Sequence, residues 1–317
     1  MSAAPGVAHP AALRPARVRV PGSTSNLGAG FDCVGLALDR FLDVTFEPGP
    51  RDLVVEREPG AAPLAGEDLL ERSFRCVLRD RGIPPTGRIL ARSTIPLARG
   101  LGSSAAALVA GTALAACAAG EAVDADAAFA TAAEVEGHGD NAAPSAYGGL
   151  VAVVSIDGLR RVLPHDLSPA LGFAFAAPDT PIATRDARAA LPTVVPHAIA
   201  VHALSRLAAL LRGLATGDPD LLRAGFDDDL HVPHRLPLIP GGAEAMAAAR
   251  EAGAWGVTVS GSGSGLIAVG PRDAAPELAD AMRRSLERRH APEAVEAYPV
   301  RPVRRGVHAV EGTSGER

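Results

Sequence analysis

The sequence predicts an α+β fold of two layers. Two observations carry that expectation. Strand-like and helix-like runs are mixed rather than strictly alternating, and several strand pairs lie close enough along the chain to form hairpins. A doubly wound parallel sheet would instead alternate strand and helix throughout. With 317 residues, the chain has the length for two domains of ordinary size.

Residues 1 to about 16 are rich in Ala and Pro and predict a loose tail. Arg17 to Val20 alternates like a strand and runs into a loop of small residues, Pro21 to Gly30. Leu36 to Leu38, Val44 to Phe46 and Leu53 to Glu56 read as short strands. Glu67 to Arg81 has helical periodicity, with Leu69, Leu70, Phe74, Val77 and Leu78 on one side. Arg88 to Ile95 reads as a strand that Pro96 ends. An Ala-rich helix follows the loop Leu97 to Gly102 and stops at Gly120. A second helix, Asp124 to Glu136, stops at Gly137. Gly148-Gly149 turns the chain into a strand, Leu150 to Ile156. The stretch around 157 to 170 is the best place for a boundary between domains, here set as 17–165 and 166–301. Beyond it, Gly172 to Ala176 is strand-like. Pro196 to Leu214, Leu221 to Leu230 and Ala243 to Glu251 are helical. The strands Trp255 to Ser260 and Leu266 to Val269 flank a second Gly/Ser loop, and Pro276 to Arg289 is a helix. The Arg/Gly-rich end, 302–317, predicts a frayed tail, and no internal repeat is visible.

Composition excludes several classes of function. The formal net charge of -5 gives no general attraction to nucleic acid or to an anionic membrane. All 31 basic residues are Arg, so mechanisms that need an active-site lysine fall away, the Walker-A phosphate loop among them. Cys33, Cys76 and Cys117 are scattered and odd in number, which predicts reduced thiols and a cytoplasmic protein. The N-terminus has no apolar core of a signal peptide. The apolar run Ala105 to Gly120 is shorter than the roughly 20 residues that span a bilayer, and reads as a buried helix.

Chemistry concentrates in Pro96-Leu97-Ala98-Arg99-Gly100-Leu101-Gly102-Ser103-Ser104-Ala105-Ala106, which joins a strand to a long helix. Glycines let backbone N–H groups converge, and a helix N-terminus adds partial positive charge. Ser103 and Ser104 can cap the helix, or one hydroxyl can ligate magnesium. A helix cap with close packing remains an equal alternative on this segment alone. A dinucleotide-binding reading is weak, because four residues separate strand from glycines and the acids Glu121 and Asp124 sit between two helices. The pair His231 and His234 lacks further zinc ligands at suitable spacing. Gly261 to Gly265 would place Gly263 where a hydrolase needs its nucleophile.

Pro96 to Ala106 matches PxxxGLGSSAA throughout, and here the chain resembles the GHMP kinases. Val20 to Asp32 is similar to the N-terminal motif of the branch that acts on homoserine. Gly253 to Gly265 is similar to the family's C-terminal glycine loop. Glu136-Gly137-His138-Gly139-Asp140-Asn141-Ala142-Ala143-Pro144 is similar to that branch's EGHxDNxAP. Thr184 to Pro192 and His231 to Pro240 resemble two further segments of it. The resemblance implies a nucleotide domain like domain 2 of ribosomal protein S5, followed by a ferredoxin-like α/β sandwich. It also implies phosphorylation of a small alcohol, homoserine, with ATP and Mg2+ as cofactors and small molecules as partners, a homodimer being left open. Another alcohol, or a paralogue that only binds ATP, are the rival readings.

Residue by residue, the resemblance implies a phosphate cradle from Pro96 and Arg99 through Ala106, including Gly100, Leu101, Gly102, Ser103, Ser104 and Ala105. Ser104 and Glu136 would hold the metal, with Glu134 as an alternative on the same helix. Asp32, with Asn26 beside it, would take the substrate ammonium; Arg188 and Arg235 would take its carboxylate, since a guanidinium grips a carboxylate through two bonds. His138, Gly261 and Gly263 would complete the pocket. Asn141 stands where related kinases place a base, implying catalysis by orientation, with Asp140 as the lesser candidate. The sequence departs from the family at Gly22, Thr24-Ser25 and Ser264, and Asp68 stands where many members place an adenine-contacting Asn.

Overall fold

The computed structural model describes residues 12–59, 61, 64 and 66–310. The expected N-terminal tail lies outside the described residues up to residue 11. Past that point the chain is already docked, with Arg14 N–H donating to the carbonyl of Ala118 at 2.8 Å.

The N-terminal half contains β1 (Ala16–Ser25), β2 (Val34–Asp52), β3 (Val54–Arg57), α1 (Leu69–Asp80), β4 (Thr86–Ser93), α2 (Ser103–Ala118), α3 (Ala125–Glu136), α4 (Ala142–Tyr147), β5 (Leu150–Ile156) and β6 (Leu159–His165). The C-terminal half contains β7 (Leu171–Pro178), α5 (Thr184–Ala189), α6 (His197–Thr216), α7 (Pro219–Gly225), α8 (Val232–Arg235), α9 (Gly242–Glu251), β8 (Gly256–Val259), β9 (Leu266–Pro271), α10 (Ala275–Leu286), β10 (Val295–Val300) and β11 (His308–Ala309).

Seven strands form one sheet in the order β11-β1-β2-β4-β3, with β5 and β6 branching from β2. The other four form an antiparallel sheet, β10-β7-β9-β8. Alternation along β7 and β9 explains how the two halves share an interior. Phe173, Phe175, Ile267 and Val269 join the core beneath the large sheet, whereas Ala174, Ala176, Leu266 and Ala268 pack with Leu278 and Met282 of α10. Helix α2 is apolar all round and buried along nearly its whole length, as a central helix should be.

The structure differs from the sequence expectations at definite places. β1 continues through Ser25 after a bulge at Pro21/Gly22, so half of the expected loop is strand. Small polar residues imitate a loop in sequence; here tertiary partners bury them. The two short strands expected over 36–46 are one strand, β2, which pairs with β5 at one end and β4 at the other. Leu221 to Leu230 is not one helix, because α7 stops at Gly225. The expected linker 157–170 contains β6, and the sequence pattern shows neither α4 nor β10. α4, with six residues, is too short to show a period. The C-terminal end is a correction as far as residue 310: residues 302–310 do not fray, and 311–317 lie outside the described residues. β11 pairs with β1, Val303 exchanges backbone bonds with Ala37 and Gly149, and Val307 is buried.

Candidate active site

The turn between β4 and α2 places the first N–H groups of α2 at the wall of a cavity of about 1190 Å³. Gly102 precedes the helix with φ +66° and supplies no side-chain cap, which leaves those donors free. A Cβ on Gly102 would lie 2.3 Å from Ser23 Oγ, and one on Gly100 2.0 Å from the Ser260 carbonyl. Only glycine fits either position. Ser260 Oγ donates to the Gly100 carbonyl at 2.7 Å and bonds Thr24 Oγ1 at 2.9 Å, fastening the turn to β1 and to the second glycine loop. Arg99 lines the cavity and pairs with Asp179. Pro96, Leu101 and Ser103 also line it, while Ala105 and Ala106 are buried in the first turn of α2.

Helix α3 ends at Gly137 in the left-handed conformation, which turns the chain back into the cavity. Ser104 Oγ donates to Glu136 Oε1. Glu136 Oε2 is buried and has no partner among the described residues. Burial pushes the Glu136 carboxyl above its ordinary range, and the Ser104 bond offsets this only in part. Glu134 is exposed and lines a separate cavity, away from Ser104.

His138 Nδ1 lies 2.6 Å from Asp140 Oδ1. Burial works to raise Asp140, yet the bonds from His138 and Ser25 and the His138 charge hold it below the usual carboxylate range. Burial lowers the imidazole, but the bond and charge of Asp140 together with the charge of Glu136 leave it above its ordinary value. Asn141 is held from both sides: its Nδ2 donates to Ser25 Oγ at 2.8 Å, and its Oδ1 accepts from Ser23 Oγ at 3.0 Å. The neighbouring carboxylate is therefore occupied, and the amide is oriented.

Asn26 Nδ2 donates to the Gly261 carbonyl at 2.8 Å, and its Oδ1 accepts from Asp32 N–H at 2.8 Å. Asn26 and Asp32 both have positive φ, 61° and 54°. Asp32 carries a two-pronged ion pair to Arg188. Arg235, 2 % exposed, donates to the Gly261 carbonyl at 2.8 Å and has no carboxylate partner among the described residues. Gly263 faces Ile182, Ile239 and Val259 instead of the cavity. Asp68 lines the cavity, but its carboxylate caps α1 through Leu70 and Glu71 N–H and bonds Arg57 at 2.9 Å.

Residues 68–149 match the GHMP kinases N terminal domain, and residues 207–288 match GHMP kinases C terminal. A homoserine kinase of Thermus thermophilus is 42% identical over 255 residues, which is 80% of this chain and 86% of the relative. One from Synechococcus sp. (strain CC9605) is 39% identical over 278 residues, 85% of this chain and 88% of the relative.

The chain belongs to the GHMP kinase family.

Among solved structures, homoserine kinase from Cytophaga hutchinsonii superposes with a TM-score of 0.81 at 28% identity, covering 93% of this chain and 97% of that one. L. major mevalonate kinase shares the fold, with a TM-score of 0.69 at 18% identity over 92% and 97% of the two chains. In this GHMP kinase, then, the phosphate-loop, α3 and charged-loop residues named from sequence converge on one cavity, except Gly263, Glu134, the two buried alanines and Asp32, which meets the cavity wall through its ion pair with Arg188. The residues that sequence reasoning misses are the hydroxyls behind them. Ser23 and Ser25 orient Asn141, and Thr24 with Ser260 fastens the turn. Their signal is the run Ser23-Thr24-Ser25, which reads as loop and is in fact buried strand.

The donor set suits a hard divalent cation. One hydroxyl and one carboxylate with an unpartnered buried oxygen leave the remaining positions for water and phosphate oxygens.

Proposed function

We propose that this GHMP kinase transfers the γ-phosphoryl group of ATP to the side-chain hydroxyl of L-homoserine, giving ADP and O-phospho-L-homoserine, a step of threonine biosynthesis. The observation that carries this reading is the grouping of one carboxylate, Asp32, with two guanidiniums, Arg188 and Arg235, next to the uncapped N-terminus of α2. A zwitterionic alcohol needs that pattern of charge, and a polyphosphate needs that helix end. The relatives named homoserine kinase support the same substrate.

In this mechanism the backbone from Gly100 to Ser104 receives the phosphates, and Arg99 adds charge beside them. Ser104 and Glu136 hold Mg2+, which when bound draws charge off the phosphate oxygens. Asp32 receives the substrate ammonium; Arg188 and Arg235 receive its carboxylate. Asn141, held by Ser23 and Ser25, orients the hydroxyl for in-line attack. The hydroxyl oxygen bonds to the γ-phosphorus as the bond to the β–γ bridging oxygen breaks. The hydroxyl proton leaves to a phosphate oxygen or to water, since Asp140 is already engaged by His138. Three unpaired cysteines fit a reducing cytoplasm.

The test is ATP turnover with homoserine, serine, mevalonate and galactose in parallel. Homoserine should be used in strong preference. Preference for another of these alcohols would reassign the substrate. ADP release with none of them, despite measurable ATP binding, would overturn the kinase reading.

A further inference from the structure

Two arginines serve the charged pocket, and they are held differently. Arg188 is neutralised by Asp32. Arg235 is buried without an acidic partner among the described residues, and its Nε has no hydrogen-bond partner there. Two contacts hold it: Nη1 donates to the Gly261 carbonyl at 2.8 Å, and a ring covers the guanidinium face. The guanidinium carbon lies over the face of Phe31, 5.0 Å from the centroid. The Phe31 ring in turn stacks on His231, with centroids 5.2 Å apart and planes 21° from parallel. His231 is wholly buried and anchored at three points. Its Nε2 donates to the Gly28 carbonyl at 3.1 Å, while Asp228 Oδ2 accepts from the backbone N–H of His231 and of Val232, both at 2.8 Å.

We propose that Phe31 and His231 are positioning residues that fix Arg235 for the substrate's carboxylate. The inference rests on reading Arg235 as that carboxylate's receptor. An aromatic face attracts a guanidinium through its quadrupole and leaves the cation's net charge intact. A carboxylate in the same place would neutralise the charge, as Asp32 does to Arg188. A buried guanidinium held in this way keeps its attraction for an incoming anion. Asp32 is held separately: its N–H donates to Asn26 Oδ1 and its carboxylate pairs with Arg188. The imidazole–benzyl–guanidinium column therefore fixes the carboxylate site relative to Asp32, and that distance selects an α-amino acid.

The experiment compares L-homoserine with 3-amino-1-propanol, which has the same amine and hydroxyl and lacks the carboxylate. The parent enzyme should prefer homoserine strongly. Phe31→Leu should raise KM for homoserine about three- to thirtyfold, the range of a cation–π contact. It should leave kcat, KM for ATP and the use of 3-amino-1-propanol within about twofold. Phe31→Tyr, which keeps the ring, should restore the preference, and His231→Gln should shift it in the direction of Phe31→Leu. A Phe31→Leu enzyme that loses both alcohols equally, or keeps the full preference for homoserine, overturns the inference while leaving Arg235 as receptor. A parent that uses both alcohols equally overturns the reading of Arg235 and the inference with it.

Discussion

Asp32 and Arg188, 156 residues apart, hold each other through two parallel hydrogen bonds of 2.8 and 2.9 Å. Each is a group that the substrate zwitterion would need. On the proposed assignment, the receptor for the ammonium and one receptor for the carboxylate satisfy one another. Homoserine would then enter by exchange, replacing one internal ion pair with two to itself. An alcohol carrying a single charge would break the internal pair and compensate only one partner.

Arg188→Ala should therefore raise KM for homoserine about 10- to 100-fold, the worth of a charge-assisted bond of ~1.5–3 kcal/mol, with KM for ATP little changed. The side chains of Arg188 and Asp32 are 37% and 35% exposed, so stability should move by less than about 1 kcal/mol. Steady-state kinetics beside a thermal melt separates the two effects. A large fall in Tm would show the pair to be a structural tie.

Gly102→Ala should lower kcat/KM for ATP by more than about tenfold and destabilise the fold by roughly 1–3 kcal/mol. The residue sits at φ +66°, and its new methyl would meet Ser23 Oγ. Movement of Ser23 would release the Asn141 amide, so kcat should fall as well. ATP binding by calorimetry and turnover of the same preparation measure both losses.

Asn141→Ala should reduce kcat about 10²- to 10³-fold, the usual loss for an orienting group aimed at the reacting atoms. Asp140→Asn should do less, because the carboxylate is taken up by His138. A collapse of activity in Asp140→Asn, with ATP and homoserine still bound, would reverse the assignment.

Burial keeps His231 below its ordinary pKa, Arg235 adds to that shift, and Asp228 opposes it. In the unfolded chain the imidazole titrates near pH ~6.5. Below that value the unfolded state binds a proton that the native state refuses, so His231 withdraws stability as the pH falls. Tm should drop between about pH 7 and 5, and His231→Gln should flatten part of that slope. An unchanged slope in the variant would show that the acid sensitivity comes from other groups.

Much of this molecule is legible in its residues alone. The phosphate turn is readable because Pro96 to Ala106 matches PxxxGLGSSAA throughout, and Gly100 and Gly102 do take left-handed positions. Glu136, His138, Asp140 and Asn141 are readable because Glu136 to Pro144 resembles a GHMP kinase motif. What misleads is local. Ser23 to Ser25 have the composition of a loop and lie in β1. The 302–310 segment looks loose by composition and is tied to β1, Ala37 and Gly149. In both places distant partners satisfy the backbone, and no local pattern records a distant partner.

By itself the sequence determined the groups available to this protein: a lysine-free glycine-rich turn, the hydroxyl of Ser104 and the acid of Glu136, and the carboxylate of Asp32 with the guanidiniums of Arg188 and Arg235. Only the tertiary structure decided how those groups are held. It set Asp32 against Arg188, Arg235 against Phe31 and His231, and Asn141 between two serines of β1. The physical reason is that residue type fixes charge and hydrogen-bonding capacity, whereas the choice of partner depends on which distant segments the fold brings within about 3 Å.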